Sequence, residues 1–286
     1  MNAIEVKNIS KTYKDFKLGE LTLEIPQGSV FGLIGENGAG KSTFIKSILG
    51  ITNSDYDELK YFGRDFQSNE KSIKEEIAVI FDQTHYDLEF TPTIIGKIMR
   101  KMYKRWDMLK FSEYLQQFNL PEHKKLKAFS RGMNMKLEFA IAFSHHTKFI
   151  ILDEATSGLD PIFRDEILDI LRKYSEAEEH TILMSSHITS DLDKIADYIG
   201  FIHQGKLLFV KSYEDIRENY GIVKCGKNMM DALHEGDIVS YRKESYVYNI
   251  LVNNKHSIRE RFQDLVVENA SLEDVMLFMV KGDKVQ

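Results

Sequence analysis

The first strong hydrophobic signal along the chain is Ser29-Val30-Phe31-Gly32-Leu33-Ile34, a run without polar alternation, as a strand buried on both faces requires. It ends in the glycine-rich stretch from Gly35 to Gly40. Beyond that, Phe44, Ile45, Ile48 and Leu49 recur at helical spacing, and Gly50 stands where a helix C-cap glycine is expected. The unit reads strand, loop, helix. Three more compact apolar runs, at 77–81, 149–152 and 181–184, are separated by segments of helical periodicity. That alternation predicts an α/β domain on a mostly parallel sheet.

Between about 91 and 145 the pattern changes. β-Branched runs give way to Lys, Leu, Met and Phe at helical intervals, which predicts a helical insertion spanning about 84–146. Two strand-like runs at 198–202 and 206–210 flank His203-Gln204-Gly205, a hairpin signal. From about Lys211 the chain stays globular in composition, with a strand-like piece at 246–252. A last helical segment runs from Ser271 to Val280 and opens with Ser271 and Asp274 at capping-box spacing. A boundary near 212 is expected, dividing a main domain, 1–212, from a small α+β tail, 213–286. No internal repeat is visible.

Composition narrows the function class. The 286 residues carry 38 Lys+Arg against 44 Asp+Glu, a net charge of −6, which argues against a nucleic-acid partner. Cys225 is the single cysteine, so neither an intramolecular disulfide nor a Cys-based zinc site is expected. The apolar run from Val275 to Val280 is far short of the roughly 20 residues of a membrane-spanning helix. The first six residues include Glu5 and lead into an alternating stretch, unlike a secretory leader. A cytoplasmic protein is expected.

The glycine stretch carries the clearest chemistry. Gly35-Glu36-Asn37-Gly38-Ala39-Gly40-Lys41-Ser42-Thr43 fits the phosphate-loop pattern, in which backbone N–H groups and the following helix N-terminus face phosphate oxygens. Lys41 would neutralise β- and γ-phosphate charge, and Ser42 would ligate Mg²⁺. The run at 149–152 ends in Asp153 and Glu154, two carboxylates at a strand's carboxyl end, where open α/β sheets bind ligands. Asp153 would hold Mg²⁺ through its water shell, and Glu154 would polarise the attacking water as general base. Alone, two such acids are equally often solvated caps. ATP and Mg²⁺ are the expected ligands.

With both motifs on one sheet, the chain resembles the nucleotide-binding subunit of ATP-binding cassette (ABC) transporters, over about residues 3–212. Phe129-Ser130-Arg131-Gly132-Met133 aligns with the family signature LSGGQ, keeping the serine and second glycine but replacing Leu by Phe, the first Gly by Arg and Gln by Met. Residues 130–141 also fit an ordinary amphipathic helix with a Ser N-cap. The resemblance implies that Ser130 and Gly132 contact the γ-phosphate bound to the other subunit of a head-to-tail dimer. It further implies that Gln83 joins Mg²⁺ and water to the helical insertion, that His187 contacts the γ-phosphate, that Asp160 lies in a loop crossing the dimer interface, and that Tyr13 stacks on adenine.

The implied fold is a phosphate-loop NTPase core with an antiparallel β subdomain, an inserted helical subdomain and a small tail. The implied activity is ATP hydrolysis that drives a separate multi-span membrane permease, through a homodimer or a paralogous heterodimer of cassettes peripheral on the cytosolic face of the membrane. The signature variant and the closing segment are similar to type-2 exporters of Gram-positive bacteria, which export drugs, lipids or amphipathic peptides, phenol-soluble modulins among them. A soluble ABC ATPase of cofactor-assembly type is the alternative. A small-molecule phosphotransferase would explain neither Ser130-Arg131-Gly132 nor His187.

Overall fold

The computed structural model describes residues 1–82, 85–176, 180–263 and 265–284. Alternation at the amino end produces two long antiparallel strands, β1 (Asn2–Thr12) and β2 (Lys17–Pro26), which turn Ile4, Val6, Ile9, Leu21, Leu23 and Ile25 inward. The wholly buried β3 (Val30–Ile34) follows, and the glycine loop leads into α1 (Lys41–Ile48). β4 (Glu58–Tyr61) and β5 (Arg64–Asp65) return to the first sheet, giving it the order β2-β1-β4-β5. α2 (Phe66–Lys74), N-capped by Asp65, then delivers the chain to β6 (Ile77–Phe81).

The insertion is built from α3 (Pro92–Met102), α4 (Met108–Gln117) and α5 (Arg131–Ala142), whose N-termini are capped by the side chains of Thr91, Asp107 and Ser130. Phe111, Phe118, Phe139 and Phe143 fill its centre. α5 buries Met135, Leu137, Phe139, Ala140, Ile141 and Ala142, a wider face than the stripe of an ordinary amphipathic helix. The helix packs against α3 and α4 on one side and β6 on the other, so a single apolar stripe would not cover its contacts.

β7 (Phe149–Asp153), α6 (Pro161–Ser175), β8 (Thr181–Ser186), α7 (Thr189–Ile195), β9 (Tyr198–His203) and β10 (Lys206–Ser212) complete the second sheet, order β10-β9-β3-β8-β7-β6. All of its pairings are parallel except the β9–β10 hairpin. That hairpin turns through Gln204 (φ 47°) and Gly205 (φ 73°), two positive-φ residues in the manner of a tight I′ turn. Register places Ile34 beside Ser186, Ser185 beside Asp153 and Asp153 beside Phe81. The carboxyl ends of β3, β8, β7 and β6 therefore share one edge, the ligand-binding edge of an open α/β sheet.

The remaining elements are α8 (Tyr213–Asn219), β11 (Gly221–Cys225), α9 (Lys227–Met230), β12 (Ile238–Glu244), β13 (Val247–Val252), α10 (Lys255–Arg261), β14 (Val267–Asn269) and α11 (Leu272–Lys281). They form an antiparallel sheet, order β12-β13-β11-β14, flanked by helices. Both hydrogen bonds of the expected capping box form at α11, Asp274 N–H to Ser271 Oγ at 3.1 Å and Ser271 N–H to Asp274 Oδ2 at 3.0 Å. Ile216, Leu251, Leu272, Val275 and Phe278 join the same buried cluster as Val30, Ile182 and Leu192. One face of the tail thus packs into the core of the main sheet, while Val223, Ile250, Val252 and Ile258 belong to a separate buried cluster within the tail. Among the described residues no helix is long and apolar enough to cross a membrane.

His145, after α5, is buried against the ring of Tyr103, with centroids 4.1 Å apart. Burial pushes its pKa down to about 4, partly opposed by a hydrogen bond with the Glu75 backbone. Between that value and the usual 6.5 of an unfolded histidine, the unfolded chain binds a proton that the folded chain refuses. Its contribution is therefore complete above pH 6.5 and lost as pH falls toward 4, a change of roughly 3 kcal/mol. Urea melts at pH 7 and pH 4.5 should show His145→Gln losing less stability on acidification than the parent. Equal losses would show that this ring does not set the acid limb.

Candidate active site

Sterics at the glycine loop explain its sequence. A Cβ on Gly35 would lie 2.3 Å from the carbonyl oxygen of Ile202, and Gly40 has φ +115° with Phe16 and Leu18 each 3.0 Å from where its Cβ would stand. The loop therefore folds tightly over β9 and opens α1 directly, with Lys41 as the first helical residue. Lys41 is 4% exposed. It donates to the carbonyls of Gly35 at 2.8 Å and Glu36 at 3.2 Å and lies 3.0 Å from Glu154 Oε1.

Opposite the loop, the last residue of β7 gathers hydroxyls. Asp153 Oδ1 accepts hydrogen bonds from Ser42 Oγ at 3.0 Å and Ser185 Oγ at 2.7 Å. The Ser185 hydroxyl in turn accepts the Glu154 amide at 3.1 Å. Glu154 then leaves the strand at φ +55°, a left-handed conformation that costs a non-glycine residue roughly 1 kcal/mol or more. That turn aims its carboxylate back over the loop, with Oε1 on Lys41 and Oε2 on the His187 imidazole Nδ1. One carboxylate thus bridges a lysine from the phosphate loop and a histidine from the end of β8.

These groups line a cleft of about 950 Å³, ample for a nucleoside triphosphate. Tyr13, Phe16, Asn37, Gly38, Lys41 to Thr43, Asp153 and Glu154 all line it. Tyr13 is 42% exposed, and the Lys11 ammonium lies 5.5 Å from its ring centroid. Residues 35–43 come together as one loop-and-helix unit with the two acids. His187 and Glu36 open into an adjoining hollow of about 390 Å³ walled by α11.

Three expected residues, Ser130, Gly132 and Asp160, do not line this cleft. Ser130 caps α5, accepting from the Met133 amide at 3.2 Å, with Gly132 in the first turn of that helix. Asp160 caps α6, accepting from the Phe163 amide at 3.0 Å. Gln83 lies outside the described residues. The cleft also contains groups that were not singled out as site residues, among them Phe16, Asp82, His85, Arg131 and Ser157, and Ser185 donates to Asp153. Ser185 left a trace in the sequence, since Ser185-Ser186 ends an otherwise apolar strand. The place of Arg131 depends on how α5 meets the loop after β7, which no local pattern encodes.

Comparison with known proteins agrees with this geometry. A family model described as ABC transporter matches residues 18–157. The lantibiotic transport ATP-binding protein SrtF of Streptococcus pyogenes is 33% identical over 217 residues, covering 74% of this chain and 91% of that protein. The bacitracin transport ATP-binding protein BcrA of Bacillus licheniformis is 34% identical over 208 residues, covering 72% of this chain and 68% of that protein. A solved structure of the ATP-binding subunit of an ABC transporter superposes with a TM-score of 0.68 at 26% identity, covering 75% of this chain and 92% of that one.

Proposed function

This chain belongs to the ABC transporter family, and from that premise we propose that it drives a separate membrane-spanning subunit by binding and hydrolysing ATP between two cassettes. It is an ATP-binding subunit with ATPase activity. The observation that carries the mechanistic reading is the Glu154 carboxylate, held between Lys41 and His187 at the rim of the phosphate loop. On this reading Lys41 and the loop amides hold the β- and γ-phosphates, and Tyr13 stacks on the base. Glu154 takes the proton of the attacking water, and His187 orients Glu154 and faces the γ-phosphate.

Ser42 Oγ and Asp153 Oδ1, 3.0 Å apart at the cleft wall, are hard oxygen donors of the kind Mg²⁺ prefers. They would hold the ion, which would neutralise phosphate charge. Shared sites are supported by Ser130 and Gly132, which open the N-terminus of α5 beside Arg131 at the cleft's edge without lining their own chain's cleft, and would serve the nucleotide of a second cassette. A hollow of about 340 Å³, lined by Tyr86, Phe90, Ile98, Met102 and Tyr103, lies between β6 and the insertion. It would seat a cytosolic segment of the membrane subunit. The relatives' lantibiotic and bacitracin transport favour export of a peptide antibiotic or similar amphiphile.

Mixing two inactive variants tests the shared site. Ser130→Arg and Lys41→Ala homodimers each break both composite sites, whereas their heterodimer keeps one intact. ATPase activity should reappear on mixing, up to about one quarter of the wild-type site number under random pairing. Activity that only averages the parents would refute a shared site.

A further inference from the structure

Arg131 occupies the first helical position of α5, where the helix dipole is positive, and no acidic residue stands in that first turn. Among the described residues no carboxylate lies within ion-pair distance of it. Its guanidinium instead crosses to the loop after β7, donating from Nη2 to the Ser157 carbonyl at 3.0 Å. The flat group also lies on Gly158. A Cβ there would meet Nη1 at 2.9 Å and Cζ at 3.0 Å, and Gly158 itself has φ +75°. A side chain there would push the guanidinium aside and strain the backbone.

From Ser157 the connection continues to the chemistry. The Ser157 amide donates to the Glu154 carbonyl at 3.1 Å, closing the turn in which Glu154 holds its left-handed conformation. Arg131 therefore grips the carbonyl of the same residue whose amide fixes the Glu154 turn. We propose that Arg131 is a positioning residue for hydrolysis, tying the N-terminus of α5 to the loop Ser157-Gly158 and through it holding Glu154 at its working geometry. The inference rests on Glu154 being the general base. It also accounts for an arginine at the position of the signature's first glycine, since here the side chain is spent within its own chain.

Phosphate contacts through Lys41 and Ser42 do not pass through this clamp, so its loss should slow turnover and spare binding. For Arg131→Ala, kcat is expected to fall about tenfold, because displacing a reacting group by a fraction of an ångström costs rate steeply, while KM for ATP stays within about twofold. Arg131→Lys keeps a donor for the Ser157 carbonyl but lacks the flat group over Gly158, and should lose part of kcat with the same KM. Gly158→Ala displaces the guanidinium and adds its own backbone strain, so the double variant Arg131→Ala/Gly158→Ala should be no slower than Gly158→Ala alone.

A rise in KM at unchanged kcat would make Arg131 a nucleotide contact and overturn the proposal. So would unchanged kinetics, or losses that multiply in the double variant. Glu154→Gln assayed in parallel separates the two claims. If it turns over normally, the base assignment fails. If it is inactive while Arg131→Ala is normal, only the positioning role fails.

Discussion

Glu154→Gln should lower steady-state ATP turnover by at least about a hundredfold, the usual worth of a positioned general base, while ATP binding survives. The side chain keeps its size and can still meet His187, but it loses the basicity needed to take a proton from water. Binding survives for an electrostatic reason. Glu154 Oε1 sits 3.0 Å from Lys41, the ammonium that would hold the phosphates, so the two negative groups would compete for it. Removing that negative charge from a cleft built for a polyanion leaves affinity equal or higher. Phosphate release measured beside fluorescent-nucleotide titration checks both halves, and size exclusion with ATP should show a dimer that persists because its nucleotide is not consumed. Unchanged phosphate release would remove Glu154 from the mechanism.

The parts of the fold that were legible beforehand are those where one local signal dominates. Val30–Ile34 carries no polar residue and is buried throughout, and Gly35 to Lys41 is a loop that sterics reserve for glycine at its ends. The Gln204-Gly205 turn and the Ser271 capping box are equally local, each needing only a few adjacent residues. The tail sheet was not legible in the same way. β14 has three residues, and β12 ends in the polar Arg242-Lys243-Glu244, so neither offers enough alternation to declare a face. That Val275 and Phe278 pack into the cluster holding Val30 depends on chain segments more than 200 residues apart, beyond any pattern along the chain.

The candidate site divides along the same line. Asp153 and Glu154 were marked by their place after an apolar strand. The pairing of Ser185 with Asp153 comes from the parallel register of β7 and β8, and the left-handed turn at Glu154 depends on that neighbour strand. Arg131 read as a departure from a motif because its partner, Ser157, is supplied by another element. Residues 83 and 84 lie outside the described chain, so the glutamine expected to join the insertion to the site has no structural description.

A shared site has one consequence that no single-chain enzyme shows. Ser130 and Gly132 do not line the cleft holding Lys41 and Glu154, so on the proposed reading a lone cassette would have a base and a phosphate loop but lack the second helix terminus that would close on the γ-phosphate. Below the dissociation constant of the ATP-bound dimer, the dimer fraction falls with concentration, and the rate per molecule must fall with it. The effect is large, approaching proportionality over each decade of dilution. The decisive measurement is ATPase activity per molecule across a dilution series at saturating ATP, with sedimentation reporting the oligomeric state in the same samples. A rate per molecule that drops in step with the dimer fraction is the predicted result. A constant rate in samples that sediment entirely as monomers would contradict the shared site.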